Sequence, residues 1–438
     1  MKPIPFFLCS LFLPFALEAE SPHKAGASAE TPLSLSAITD VVLANNPDIK
    51  EARAHWEAMR QRLPQAAAWD DLKVGGSTRL ARFVDVAANS FTDQMVSVEQ
   101  MIPISGRNRS RERIAAAEAL ATLEDLHRKQ LDAVAKARTA YFRLVRDYAL
   151  LELNRENESS LTQTVEISRA RLEVGNQGQA DVLVAENEVN RLEEDRHDLM
   201  QSVSEDETQL NVLMNRDAFV PLGKPVSMPQ PGTERLSVER CRASVLRTRP
   251  EVRSAEAQVT ASLARLELAK REWIPDPAIS IEAQRYNGAA QGVSEVAAGV
   301  SFNVPWLNVK KYRAGEREAQ SGVEATQRAL ESARSTALGL IRDQFQKIET
   351  ARHHIELYQT RLIPNARQTV QTDRTNYEGG KTGFLELILS ERSLRELEAM
   401  LQQHLADYQI AAAELDALIG SPLPRSPSTG SFSKGGAK

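Results

Sequence analysis

Leu172-Glu173-Val174-Gly175-Asn176-Gln177-Gly178, with Asp181 just beyond, is answered about 205 residues later by Tyr377-Glu378-Gly379-Gly380-Lys381-Thr382-Gly383, with Glu386 just beyond. Each stretch is a glycine-marked reversal between two long runs of helix-forming sequence, because glycine accepts the positive φ that a tight helix end demands. Outward from these turns the chain keeps matching itself. Asn45-Asn46-Pro47-Asp48-Ile49-Lys50 pairs with Thr248-Arg249-Pro250-Glu251-Val252-Arg253, Trp69 with Trp273, and Pro103 with Pro305. Asn211-Val212-Leu213-Met214 pairs with Asp416-Ala417-Leu418-Ile419. A unit repeated with its order intact means two-fold internal pseudo-symmetry. The copies are residues 35–216 and 238–420, with tips about 172–181 and 377–386, joined by a proline-rich linker over 217–237.

The runs flanking the turns set the scale. From about Arg107 to Leu172 and from about Lys310 to Tyr377 no glycine–proline cluster intervenes, and some 65 helical residues would span roughly 100 Å. Apolar residues recur every seventh position: Val134, Tyr141 and Tyr148 with Ala137, Leu144 and Leu151, then Ile341, Ile348, Ile355 and Leu362, and in the return segment Leu394, Leu401, Tyr408 and Leu415. That spacing pairs neighbouring helices in a left-handed coiled coil. Pro364 predicts a kink in the second run. Residues 35 to about 68 read as helical with a boundary near Pro47. Aromatics at 5% and charged residues at 26% fit long helices better than compact domains.

Between the short and long helices the period changes from helical to alternating. Strands are predicted at about 72–83 and 95–102 in the first copy, and at about 278–286 and 295–304 in the second. Val96, Val98, Gln100 and Ile102 share one face, with Ser97 and Glu99 on the other. Ile279, Ile281 and Ala283 alternate with Ser280, Glu282 and Gln284. Two readings are open: a half-buried soluble hairpin, or the weak signature of a transmembrane β-barrel. Trp69, Trp273 and Trp306 at the strand ends would suit an aromatic belt. Arg107, Arg109, Arg111 and Arg113, with Lys310, Lys311, Arg313 and Arg317, would either reach lipid headgroups or be solvated helix starts. Four strands cannot close a barrel, so on the membrane reading the chain must oligomerise. A dimer would give a plugged eight-stranded lumen and a trimer an open twelve-stranded one; polar inner faces poor in large side chains favour the trimer.

The N-terminus carries Lys2, an apolar run from Ile4 to Leu17, and Ala19 before polar residues, so residues 1–19 read as a secretory signal peptide, with a membrane-anchoring helix as the alternative. Residues 20–34 form an extension and 421–438 a tail of disordered composition. Beyond the signal only Cys241 remains, which excludes an intramolecular disulfide. A net charge of −5 offers no footprint for nucleic acid. The seven histidines are scattered, and His353 and His354, being adjacent, point to different sides of a helix. No nucleophile, phosphate-cradling loop or metal-spaced cluster suggests an enzyme, a cofactor or a resident metal.

In this order of elements, with the Asn-Pro-Asp and Arg-Pro-Glu helix starts and the Val-Gly…Asp and Gly-Gly…Glu turns, residues 33 to 420 resemble the TolC-like outer membrane efflux protein family. Val98-Glu99-Gln100-Met101-Ile102-Pro103-Ile104-Ser105-Gly106-Arg107 resembles the branch paired with resistance-nodulation-division pumps, heavy-metal exporters included. The resemblance implies a mainly α fold with β: a homotrimer with a twelve-stranded barrel in outer-membrane lipid and an α-barrel crossing the periplasm. The short helices and the linker would form a belt around its waist. The implied partners are a periplasmic adaptor protein and, through it, an inner-membrane pump. Carried over residue by residue, the resemblance makes Gly175 and Gly380 tip glycines, near Gly178 and Gly383, with Leu172, Val174, Leu183 and Leu385 as adaptor-contact or packing residues.

The resemblance also makes Asp181 and Glu386 aperture acids; three copies of Glu386 on one axis would attract cations. Their other reading is a helix-start carboxylate favoured by the macrodipole. Some members of the family carry a further acid where this chain has Leu389. Tyr377 stands where the family has a latch tyrosine, with Asp181 as its partner, and a tyrosine simply packing at a hairpin end is the other reading. The family's basic latch falls here on Thr382, beside Lys381. The expected function is a passive export duct for small molecules or metal ions, and the rival is a non-conducting periplasmic scaffold or adaptor.

Overall fold

The computed structural model describes residues 33–80, 92–175, 178–232, 237–286 and 292–420. The expected signal peptide, nearly all of the N-terminal extension, the tail and positions 81–83 of the first predicted strand lie outside them.

Three short helices open the described chain: α1 (Leu35–Asn45), α2 (Pro47–Arg60) and α3 (Arg62–Ala67). The helical stretch expected over 35–68 is thus divided at Asn46 and Gln61. Asn46 explains the first break. Its side chain accepts the Ile49 N–H at 3.2 Å, and Pro47 fills the first helical position, where a missing N–H costs nothing. The second copy keeps the proline but not the side-chain cap: Pro250 opens α7 (Pro250–Arg271) after α6 (Val238–Thr248), and Arg249 makes no capping bond. In each copy this corner is tied to the end of the copy's own return helix. Asn46 Nδ2 donates to the Leu213 carbonyl at 3.0 Å, whereas Thr248 Oγ1 donates to that of Ile419.

The long elements are α4 (Arg107–Glu173), α5 (Gln179–Leu213), α8 (Val309–Leu357), α9 (Ile363–Glu378) and α10 (Phe384–Ile419). The 67 residues of α4 extend roughly 100 Å. Between α8 and α9 the helix widens into a π-turn, Tyr358–Leu362, with Pro364 in the first turn beyond it. The interruption predicted at Pro364 therefore begins several residues earlier. A proline ring collides with the carbonyl four residues back, here Thr360, and the wider turn makes room for it. Helix α4 packs against α5, α7 and α10. The heptad positions Ala137, Tyr141, Leu144, Ile341, Ile348, Ile355, Tyr408 and Leu415 are buried between helices.

The bundle holds three apolar clusters at two levels. Two lie at the waist, around Ile38, Val42, Phe142 and Leu210, and around Val245, Val252, Ile341 and Leu415; the third lies at the tips. The linker is bound to the waist: Leu33 N–H donates to the Lys224 carbonyl at 3.0 Å, and Asn211 Nδ2 to that of Val220 at 2.7 Å.

At the opposite end from the tips, β1 (Lys73–Thr78), β2 (Thr92–Met101), β3 (Ala278–Tyr286) and β4 (Glu295–Ser301) form one antiparallel sheet in the order β1-β2-β3-β4. The two predicted strand pairs thus merge, through β2 against β3, which leaves β1 and β4 as edges. The fourth strand stops three residues short of its expected end, since Pro305 starts a 3₁₀ turn over Pro305–Asn308. Register puts Val74, Val96, Val98, Ile279, Ile281, Ala283, Val296 and Val300 on one face and Ser97, Glu99, Ser280, Glu282, Gln284 and Gly299 on the other. Along β3 the apolar Ile279 and Ile281 are exposed while the polar Ser280, Glu282 and Gln284 are partly covered. Along β3 the polar face is thus the more covered of the two. Among the described residues no helix is long and apolar enough to cross a membrane.

Candidate functional site

Both helix reversals end on a left-handed glycine. Gly175 closes α4 with φ of 73°, its N–H donating to the Leu172 carbonyl at 3.0 Å. Gly380 closes α9 with φ of 69°; its N–H donates to the Tyr377 carbonyl at 3.0 Å, and the Lys381 N–H to that of Asn376 at 2.8 Å. This pair of reversed bonds is the Schellman arrangement. Gly178 and Gly383 behave otherwise. They cap α5 and α10 with extended backbones, φ of −81° and −76°, so positive φ does not explain them. Asp181 and Glu386 both fall at the third position of their helices, where the macrodipole favours a carboxylate. Asp181 is half-buried and Glu386 exposed.

Tyr377 lies inside the tip. It is 7% exposed, in a cluster with Leu161, Val165, Ala185, Phe384, Leu387 and Ile388, its ring centroid 5.6 Å from that of Phe384. Over its other side lies Arg171, guanidinium carbon 4.3 Å from the ring centroid, with Nη1 donating to the Tyr377 carbonyl at 3.2 Å. Arg171 closes the first hairpin and Tyr377 the second, so this contact pins the two together. Sequence reading missed Arg171; its one signal was a cation in the last turn of a helix. Thr382 is half-buried, its hydroxyl donating to the Asp373 carbonyl at 3.5 Å, while Lys381 is exposed. Leu172 is half-buried. Val174, Leu183 and Leu385 are 69%, 51% and 58% exposed, an apolar fringe with nothing packed on it among the described residues.

Two turns further from the tip a second tie joins the hairpins. Glu188 of α5, itself buried, accepts from Arg191 at 3.0 Å, from Arg395 of α10 at 3.1 Å and from Arg392 of α10. Separate pairs act within hairpins: Arg169 with Glu186 at 2.6 Å, and Arg374 with Glu391 at 2.9 Å.

The outer membrane efflux protein family model matches this chain over residues 38–216 and again over 242–421. The chain belongs to the outer membrane efflux protein family. Its curated relatives include the toluene efflux pump outer membrane protein TtgI of Pseudomonas putida, 24% identical over 82% of this chain and 79% of the relative. TtgF of the same species is 25% identical over 83% of this chain and 78% of the relative. Among solved structures, the outer-membrane channel OprN superposes with a TM-score of 0.77 at 18% identity, covering 88% of this chain and 90% of its own. VceC of Vibrio cholerae superposes at 0.76 and 17%, covering 88% and 96%. The protein is an outer-membrane efflux channel component that reaches into the periplasm.

In this efflux protein, α4, α5 and α10 border a cleft of about 590 Å³ beside the Glu188 tie, lined by Asn154, Asp195, Asp198, Glu396 and the Glu188 arginines. Burial, helped by Asp198 and Glu194, pushes the Asp195 carboxyl up from its ordinary value. Burial pushes the Arg395 guanidinium down, against the pull of Glu188 and Glu391.

Proposed function

We propose that three copies of this chain form a passive duct through which solute, delivered by an inner-membrane pump and a periplasmic adaptor, leaves the cell. The observation that carries the reading is the sheet: four strands with two unpaired edges, one face apolar and exposed and the other polar, at one end of helices roughly 100 Å long. Such a sheet is stable only when β4 of one copy meets β1 of the next and the apolar face meets lipid. Three copies give a lumen wide enough to stay open. Cargo choice then rests with the pump. Both a small organic solute, as the name of the TtgI relative suggests, and a metal ion are within reach of a polar-walled tube.

The hairpin tips are the gate and the docking end in this reading. Asp181 and Glu386 ring the aperture. Val174, Leu183 and Leu385 offer the adaptor an apolar fringe, and Gly175 and Gly380 shape it. Tyr377 holds the tip shut through Arg171 in its own chain, with Lys381 and Thr382 available to a neighbour. Arg171 meets the ring and the backbone carbonyl of Tyr377, so conductance of Arg171→Ala in a planar bilayer tests this latch, with Tyr377→Phe plus Asp181→Ala testing the hydroxyl's share; an unchanged value in Arg171→Ala sinks it. Fractionation tests the duct: heat-modifiable trimers in the outer membrane are expected, and a soluble periplasmic product would overturn it.

A further inference from the structure

Far from the tips, His354 of α8 and His404 of α10 face one another with ring centroids 4.6 Å apart. The ring of Tyr358 stands almost perpendicular to that of His404, at 74° and 5.0 Å. Tyr358 is also the first residue of the π-turn, and its neighbour Gln359 bonds to Gln230 of the linker at 3.4 Å. One turn beyond His404, Gln409 donates to the linker carbonyl of Pro229 at 2.8 Å. The histidine pair thus sits where α8, α10, the π-turn and the linker meet. Scattered in sequence, the two rings are brought together only by the hairpin.

We propose that the His354–His404 pair is a proton-operated joint: charging it in acid drives the rings apart, loosens the π-turn and releases the linker from the waist. Two neutral imidazoles pack well at this separation, and one imidazolium beside the other repels the second proton and gains from leaving for water. The charges around the pair are few. From α10 comes Asp407, its carboxylate 3.9 Å from His404 Nδ1, already accepting from Gln403 at 2.7 Å. From α4 comes Arg146, which reaches this network by donating to the Gln403 side-chain oxygen at 3.1 Å. From α8 come His353, 6.3 Å from the His354 ring, and Arg352, which turns to Glu349 and the Tyr408 hydroxyl. Among the described residues the linker contacts here are Gln230 and Pro229, neither titratable. Geometry is supported by electrostatics: burial holds the His404 imidazole below its ordinary value, His354 adds to this, and Asp407 opposes it. A histidine depressed on folding stabilises the fold above the ordinary value of ~6.5, and that stability is lost as pH falls below it. The π-turn is the weak neighbour, since its wider ring makes poorer hydrogen bonds than the α-helix on either side.

Hydrogen exchange of the full-length protein in detergent tests this on the chain's own backbone, independently of any duct. The comparison is between about pH 7.5 and about pH 5.5, on either side of the ordinary imidazole value of ~6.5, after correction for intrinsic exchange. In the native sequence, peptides covering 355–364 and 222–232 are expected to exchange roughly tenfold faster at the lower pH, while tip peptides hold. His404→Phe keeps a ring and removes the charge, so this pH response should vanish; His354→Phe, which removes the neighbour's repulsion and leaves the burial of His404, should weaken it and serves should the first variant fold poorly. A native response that does not depend on pH would overturn the proposal. So would variants that respond as the native protein does.

Discussion

The glycines of the two reversals separate by conformation, although the sequence presents them alike. Gly175 and Gly380 have left-handed backbones and open space around the missing Cβ, so alanine there would be strained without colliding. Gly380→Ala is expected to destabilise the chain by about 1–2 kcal/mol, the cost of a left-handed L-residue, while Gly383→Ala, extended and uncrowded, should cost almost nothing. Thermal unfolding of the two variants side by side checks this. Asp206 makes a second prediction at the same scale. Burial is the first cause that lifts its carboxyl to about 6, with Arg143 pulling it down and Asp147 pushing it up. A carboxyl raised on folding stabilises the fold most below its ordinary value of ~3.9 and loses that contribution as pH rises through the lifted value. Asp206→Asn should therefore be more stable than the native chain near pH 7.5, by on the order of 1–3 kcal/mol, and lose its advantage near pH 4. Denaturant titrations at both values would show it, and equal differences at both would refute the assignment.

At the scale of elements, the ties between hairpins decide which movements are costly. Glu188 neutralises Arg395, whose side chain is 14% exposed, and Arg392, at 36%, so removing it strands two partly buried cations at the edge of the cleft. Breaking a well-buried pair costs about 3–5 kcal/mol, and the partial exposure of Arg392 puts Glu188→Ala at roughly 2–4 kcal/mol. The loss should appear as faster hydrogen exchange in 180–192 and 384–396, with the strands unaffected. Uniform acceleration across the chain would mean that the tie is not local. No reading of one helix finds this contact, because Glu188 and Arg392 are 204 positions apart. The same holds for Arg171 over Tyr377 and for His354 beside His404. What the sequence made legible was local: the tip glycines, because a left-handed turn admits few residues; the strand faces, because alternation has period two; and the long helices, because nothing breaks them. Element ends were harder. The π-turn arises from a proline ring meeting a carbonyl in space, and the fourth strand ends where Pro305 starts a turn.

For the whole molecule, the inverted sheet is the feature with the most to explain. Ordinary sheets bury apolar side chains, whereas here Val74, Val96, Ile281, Val296 and Val300 are more than half exposed, and along β3 the polar face is the more covered one. An apolar face of this size is stable only against lipid or protein. Adjacent positions of one strand separate the alternatives. Val96 points outward, between Gly76 and Ala283; Ser97 points inward, between Gly75 and Glu282. In a lipid-embedded barrel Val96→Lys places a cation against hydrocarbon, at about 2–4 kcal/mol per copy near the midplane. A trimer carries that cost three times over, so Val96→Lys should fall sharply in the outer-membrane fraction. Ser97→Lys adds its charge to a wet lumen beside Glu282 and should insert normally, with conductance altered instead. Were the apolar face covered by protein in a soluble hairpin instead, Val96→Lys would still be the damaging change, but the native chain would be missing from the outer-membrane fraction and Ser97→Lys would alter no conductance.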